Sequence, residues 1–370
     1  MQTPDVLDIQ SLTAPIPGAN PAGEDLRQDF SAGAPFQRLR DLRGQVRAQE
    51  RAADAEDDAA QPIAEWRQII AGGAELLAQR SKDLEIAAMM VEGLARVHGY
   101  AGLRDGFRLA HALVEQHWDG LHPLPDEDGV ATRLRPLIGL NGEGAEGTLI
   151  QPVRKIAMIR GQQGSYALWQ IVQAGEIAAL EPERRQQRLD AGGVDLDAVR
   201  QAGNEMDAAT VATLVADISG AQDAFRQLCA ALDERCGPDS PPSSNIRKVL
   251  EAAQDAARLV LGDRVPAQGP AAAGDGAATG HQAPPAPSGT ARPAALPGEI
   301  RDREDAFRLI ELAAAWFRRM EPQAPISYTL EESVRRARLP LPDLLDELIR
   351  DETARGDFLI AAGIKPRSSG

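Results

Sequence analysis

Between Val265 and Leu296 the chain carries no large apolar side chain, and residues 266–297 are mostly Ala, Gly and Pro. Such a stretch cannot bury enough surface to offset the entropy of ordering its backbone. Residues 263–297 are therefore read as a flexible, partly extended linker. Folded structure has to form on either side of it. A length of 370 residues leaves room for about two or three domains.

Ahead of the linker, apolar residues recur at helical spacing. Trp66, Ile69, Ile70, Gly73 and Leu77 form one stripe. Leu84, Ala87, Ala88, Val91, Leu94 and Ala95 form a second, with Ser81 as its candidate N-cap. Gly99 suits a helix end, and Leu103, Phe107, Ala110, Val114 and Trp118 make a third stripe. Leu39, Leu42 and Val46 suggest a shorter Arg-rich helix upstream. Short connections favour antiparallel neighbours, so a helical N-terminal array is expected over residues 1–150. A helical middle domain is expected over 155–262. Tyr166, Trp169, Val172 and Ile177 share one helix there, Val211 to Leu232 a long second one, and Ile246 to Leu261 a third.

Behind the linker, residues 298–370 read as a small helical domain. One helix buries Ala306, Leu309, Ile310, Ala313, Trp316, Phe317 and Met320. Another runs from Ser327 to Arg338, and LPLPDLLDELIRD sets Leu341, Leu344, Leu345, Leu348 and Ile349 on one face. About 70 residues make a marginal core alone, so self-association would complete it. Ala, Leu, Glu, Gln and Arg dominate while aromatics are 4%. The whole reads as an all-α protein.

Charge and motifs narrow the function. The net charge is −15, which argues against general nucleic-acid or anionic-membrane binding. No apolar run is long enough to span a bilayer. MQTPDVLDIQ lacks the basic-then-apolar pattern of a secretory signal, so a cytoplasmic location is expected. Cys229 and Cys236 read as reduced thiols. GEGAEG, starting at Gly142, matches a dinucleotide-binding pattern on paper. The extended look of the TLIQPVRKIAMI that follows, and the charges of Glu143 and Glu146, favour a loop instead. His117, His122 and a carboxylate, Asp119 or Asp126, are a possible metal set, with His111 nearby. The spacing lacks an i, i+4 pair, so no metal or cofactor site is assigned. No hydrolase elbow, P-loop or kinase motif is present, and no catalytic residue is assigned. Arg38, Arg40, Arg43, Arg47 and Arg51 suit a solvated helix with intrahelical pairs to Asp41, Glu50 and Asp54, or an acidic partner.

PIPGANPAGEDLRQDF at Pro15, then RSKDLEIA, HGYAGLRDG, WDGLHPLPDE and RLRPLIGLNG, occur in that order within residues 15–160. Together they resemble the ImpA-type N-terminal domain of the TssA family of bacterial type VI secretion systems. The tail, DREDAFRLIELAAAWFRRMEPQAPISYTLEESVRRARLPLPDLLDELIRDE, is similar to the C-terminal domain of short TssA proteins. The resemblance implies a non-enzymatic, cytoplasmic scaffold that helps assemble the baseplate and the contractile sheath and tube. It implies partners among baseplate, inner-tube and sheath proteins, with the membrane complex in some systems, and no insertion into the membrane itself. It also implies a ring-like homo-oligomer built by the C-terminal domain. Trp316, Phe317, Leu344, Leu345 and Leu348 are the candidate oligomerisation face, with an intrachain core as the alternative. Copies tethered this way would make weak contacts of the N-terminal arms useful through avidity. Pro17, Gly18, Asn20, Pro21, Gly23, Glu24 and Asp25 read as a structural strap pinned by Ile16 and Leu26, or as a partner loop. Two other readings stay open: a metal-dependent helical hydrolase using residues 117–127, and a general helical adaptor unrelated to secretion.

Overall fold

A computed structural model describes residues 2–29, 31, 33–55, 62–162, 164–265, 303–320, 325–339, 344 and 347. The chain divides into two compact units, 1–273 and 274–370. In the first unit, α1 (Ile9–Thr13), α2 (Pro35–Ala55), α3 (Ile63–Gln79), α4 (Leu84–His117), α5 (Val130–Asn141) and α6 (Ile150–Arg154) lead into a small hairpin. The hairpin strands are β1 (Ala157–Gly161) and β2 (Gly164–Ala167). Then come α7 (Leu168–Ala178), α8 (Pro182–Asp190), α9 (Leu196–Glu205), α10 (Ala208–Cys236) and α11 (Ser244–Leu261). The protein is predominantly helical, as its composition predicts.

The spine is α4. The sequence reads it as two helices ending and restarting around Gly99, and the structure breaks there: two helical stretches meet at a kink with no loop between them. Gly99 alone leaves helical geometry, at φ +58° and ψ −135°, a conformation that L side chains resist. The N-cap is Asp83 rather than Ser81. Its carboxylate accepts from the Glu85 and Ile86 amides at 2.7 and 3.4 Å, while the Ser81 hydroxyl is buried without a partner.

Helix α4 packs against α3, α5 and α10. Trp66, Ile69 and Leu77 of α3, Met90, Leu94 and Phe107 of α4, and Phe225 and Leu228 of α10 belong to one continuous core. Phe107 and Phe225 meet with ring centroids 4.9 Å apart. Each such side chain adds about 1.5–3 kcal/mol on burial. Helices from both regions of the sequence ahead of the linker thus share this core.

Two local expectations need correction. TLIQPVRKIAMI is not one extended run: Ile150, Pro152 and Val153 are buried on α6 before the chain turns into β1. Tyr166 lies in β2, paired with Ile159, and not in the helix with Trp169. Along α7 the buried row is Leu168, Ile171, Ala174 and Ile177. Trp169 and Val172 point outward, because the neighbouring row on the same helix faces α11 and the core.

The second unit is described through α12 (Arg303–Met320) and α13 (Ile326–Arg338). Phe307, Ala314 and Val334 are buried in it. Arg318–Glu331 and Arg338–Glu311 ion pairs, at 2.6 and 3.0 Å, link the two helices. The linker expected over 263–297 lies outside the described residues beyond Val265.

Candidate functional site

The segment after α1 folds along the start of α4. Lys82 N donates to Ala22 O at 2.7 Å, and Glu24 N to Arg80 O at 3.1 Å. On the other edge, His122 N donates to Lys82 O at 2.9 Å and Leu84 N to His122 O at 2.8 Å. Residues 80–84 are thus held between two extended segments. Gly23 sits at φ +78°, and a Cβ there would lie 2.0 Å from Arg80 O. Asn20 shapes the turn by accepting from Ala22 N at 3.1 Å and donating to Gly23 O at 2.5 Å.

Side chains complete the attachment. Ala22 and Leu26 are buried, Ile16 is half-buried, and Pro17, Gly18, Asn20, Pro21 and Glu24 are exposed. Glu24 pairs with Arg80. Asp25 accepts from Arg27 N at 3.1 Å. Arg27 reaches Asp83 at 2.6 Å and Glu85 at 2.7 Å, and lies 4.9 Å from the Phe36 ring centroid.

Among the described residues, Arg-rich α2 makes its ion pairs across helices rather than along itself. Arg40 reaches Glu85 at 3.2 Å, and Arg43 binds Glu92 with both ends of its guanidinium. Glu50 of α2 accepts from Arg96 at 2.6 and 2.8 Å and from the Trp66 indole at 2.7 Å. Glu85 and Glu92 are two helical turns apart on α4, so one face of α2 matches both.

Sequence reasoning missed a second buried cluster. Arg104 is fully buried and contacts Asp105 at 2.7 Å, Asp217 at 3.5 Å and the Thr3 carbonyl at 2.8 Å. It joins the amino-terminal residues, α4 and α10. An Arg–Asp dipeptide inside an otherwise apolar helical run was the available signal.

The histidines are spread rather than gathered. His117 Nε2 donates to Thr13 O at 2.7 Å. His122 is buried with neither ring nitrogen hydrogen-bonded, and His111 is half-buried on α4. No group of His, Cys, Asp or Glu able to hold a metal converges among the described residues. The Gly142 loop follows a helix, not a strand. Asn141 at its start accepts from the Asn245 and Ile246 amides, both at 3.0 Å, and so caps α11 from outside. Cys229 and Cys236 are free, half-buried thiols.

Of the candidate oligomerisation face, Trp316 and Phe317 fall in α12, with Phe317 half-buried; Leu344 is half-buried, and Leu345 and Leu348 lie outside the described residues.

A cleft of about 1130 Å³ opens beside α2, α4, α6 and β1. Arg47, Arg51, Arg96, His98, Lys155 and Arg160 line it, and Trp169 stands at its wall. Its acids are already engaged: Glu50 by Arg96, Glu146 by Arg154 at 2.6 Å, and Asp217 by Thr3 and Arg104. Among the described residues no carboxylate lies in ion-pair range of Arg47, Arg51 or Arg160. Burial holds the Arg47 guanidinium below its usual pKa; Glu92 pulls it the other way, and Arg43, Arg51 and Arg96 add to the lowering.

This fold defines a predominantly helical protein with an ImpA-type N-terminal region. Residues 13–142 match the family described as ImpA, N-terminal, type VI secretion system. The chain is 28% identical to the type VI secretion system component TssA1 of Pseudomonas aeruginosa, over 95% of this chain and 99% of the relative. Its fold is similar to a solved N-terminal domain, including the conserved ImpA region, of the TssA component from Burkholderia cenocepacia. That likeness has a TM-score of 0.56 at 24% identity, covering 69% of this chain and 95% of the other. The chain is thus similar to TssA components of type VI secretion systems, in its ImpA-type region and along most of its length. Among the described residues no helix is long and apolar enough to cross a membrane.

Proposed function

We propose that this chain is a non-enzymatic cytoplasmic scaffold of the type VI secretion system. It forms a homo-oligomeric ring through residues 298–370 and helps assemble the baseplate and the contractile sheath and tube. The carrying observation is the reach of the similarity: 95% of this chain aligns with a relative named as a component of that system. The half-buried Phe317 and the exposed Leu312 and Tyr328 of α12 and α13 also support association through the second unit. Trp316, Leu344, Leu345 and Leu348 complete the proposed face.

In this reading the strap of Pro17, Gly18, Asn20, Pro21, Gly23, Glu24 and Asp25 is a structural brace, because Gly23 and Glu24 are bonded to the start of α4 through their backbones. The test is imaging of a fluorescent sheath protein in cells lacking this chain. Absent sheaths, restored by the full chain, are expected. Normal sheaths in the deletion strain would sink the proposal.

A further inference from the structure

The cleft beside α2 has a charge imbalance that the described residues leave unmatched. Its carboxylates are used internally, while Arg51 and Arg160 are exposed cations without an acidic partner among the described residues. Arg47 is half-buried amid other guanidiniums. Packing like charges this close costs stability, which a bound anion would offset. The chain as a whole carries −15, so this positive patch runs against the overall charge.

We propose that this cleft docks an acidic peptide segment of a partner protein. Charge complementarity points to carboxylates over Arg47, Arg51 and Arg160. The apolar lining points to a peptide rather than a bare anion: Ile63, Ile156 and Leu214 line the cleft, and Trp169 is 45% exposed at its wall. A peptide supplies carboxylates and apolar side chains together, and an exposed Trp is a common binding anchor. A long polyanion such as nucleic acid would meet the negative remainder of the surface. The proposal does not depend on ring formation.

The experiment is fluorescence anisotropy of a labelled short Glu/Leu peptide titrated with the full chain. Saturable binding is expected. Arg51→Glu and Arg160→Glu should each weaken it by about tenfold, mostly through lost charge pairing. Arg160→Lys should retain most of it, and Trp169→Ala should weaken it several-fold. Arg184→Glu on exposed α8 makes the same change in net charge outside the cleft and should leave binding intact. Absence of binding, equal weakening by Arg184→Glu, or equally tight binding of a length-matched oligothymidylate would each overturn the proposal. None of those outcomes would touch sheath assembly, which tests the scaffold function separately.

Discussion

Arg43 on α2 clamps Glu92 on α4, with Nε 2.7 Å from one carboxylate oxygen and Nη2 2.8 Å from the other. Glu92 is fully buried and also accepts from the Thr148 hydroxyl. Burial alone would raise its pKa, but Arg43, Thr148 and Arg96 together hold it below the ordinary value.

Glu92→Gln should therefore destabilise the first unit by about 3 kcal/mol at neutral pH, since it strands a partly buried guanidinium. A carboxylate held down in the folded state adds stability above its unfolded pKa. That stability is lost as pH falls through the folded value. The gap between wild type and variant should shrink below about pH 4.5. Urea unfolding across acid pH checks both.

Lys82 is buried, and its ammonium donates to Leu12 O at 2.9 Å and Leu77 O at 2.5 Å. Burial pushes its pKa down to about 8 from 10.5. The unfolded chain thus binds more protons between those values, and stability rises with pH there. Relative to Lys82→Met, wild type should gain up to about 1.4 kcal/mol per pH unit across that window. Paired denaturation curves at both ends of it measure the gain.

Gly23→Ala should cost about 2 kcal/mol or more, because a Cβ would collide with Arg80 O in a left-handed backbone. Gly18→Ala, at φ +138° with open space around it, carries backbone strain without that collision and should cost less. Thermal melts of the two variants separate contact from conformation.

Asp217→Asn should loosen the amino terminus. Asp217 accepts from Thr3 N at 3.0 Å, and Arg104 holds the Thr3 and Pro4 carbonyls. Hydrogen exchange should quicken at Thr3 and Val6 while α3 keeps its protection.

The helices were legible where apolar residues recur every three or four positions, as at Trp66, Ile69 and Leu77 or Val249, Leu250 and Ala253. Periodicity failed on α7, where two adjacent rows both looked apolar and the row holding Trp169 and Val172 faced solvent. It failed again at Tyr166, whose hairpin is set by pairing with Ile159 rather than by local propensity. α8 buries nothing and so offers no stripe to read, whereas α9 does bury Leu196, Val199 and Ala202, a row too short to stand out locally. At the cleft, the arginines of α2 were visible in the sequence, but their division was not. Only tertiary structure shows Arg43 spent on Glu92 while no carboxylate among the described residues pairs with Arg47 or Arg51. The strap's backbone bonds to residues 80–82 were equally invisible, because pairing between distant segments leaves no mark in local spacing.

The central claim, a ring-forming scaffold, is tested most directly by multi-angle light scattering of the full chain over a range of concentrations. A discrete mass many times that of one chain, lowered by Phe317→Glu, is the predicted result. The mass of a single chain at every concentration would contradict it.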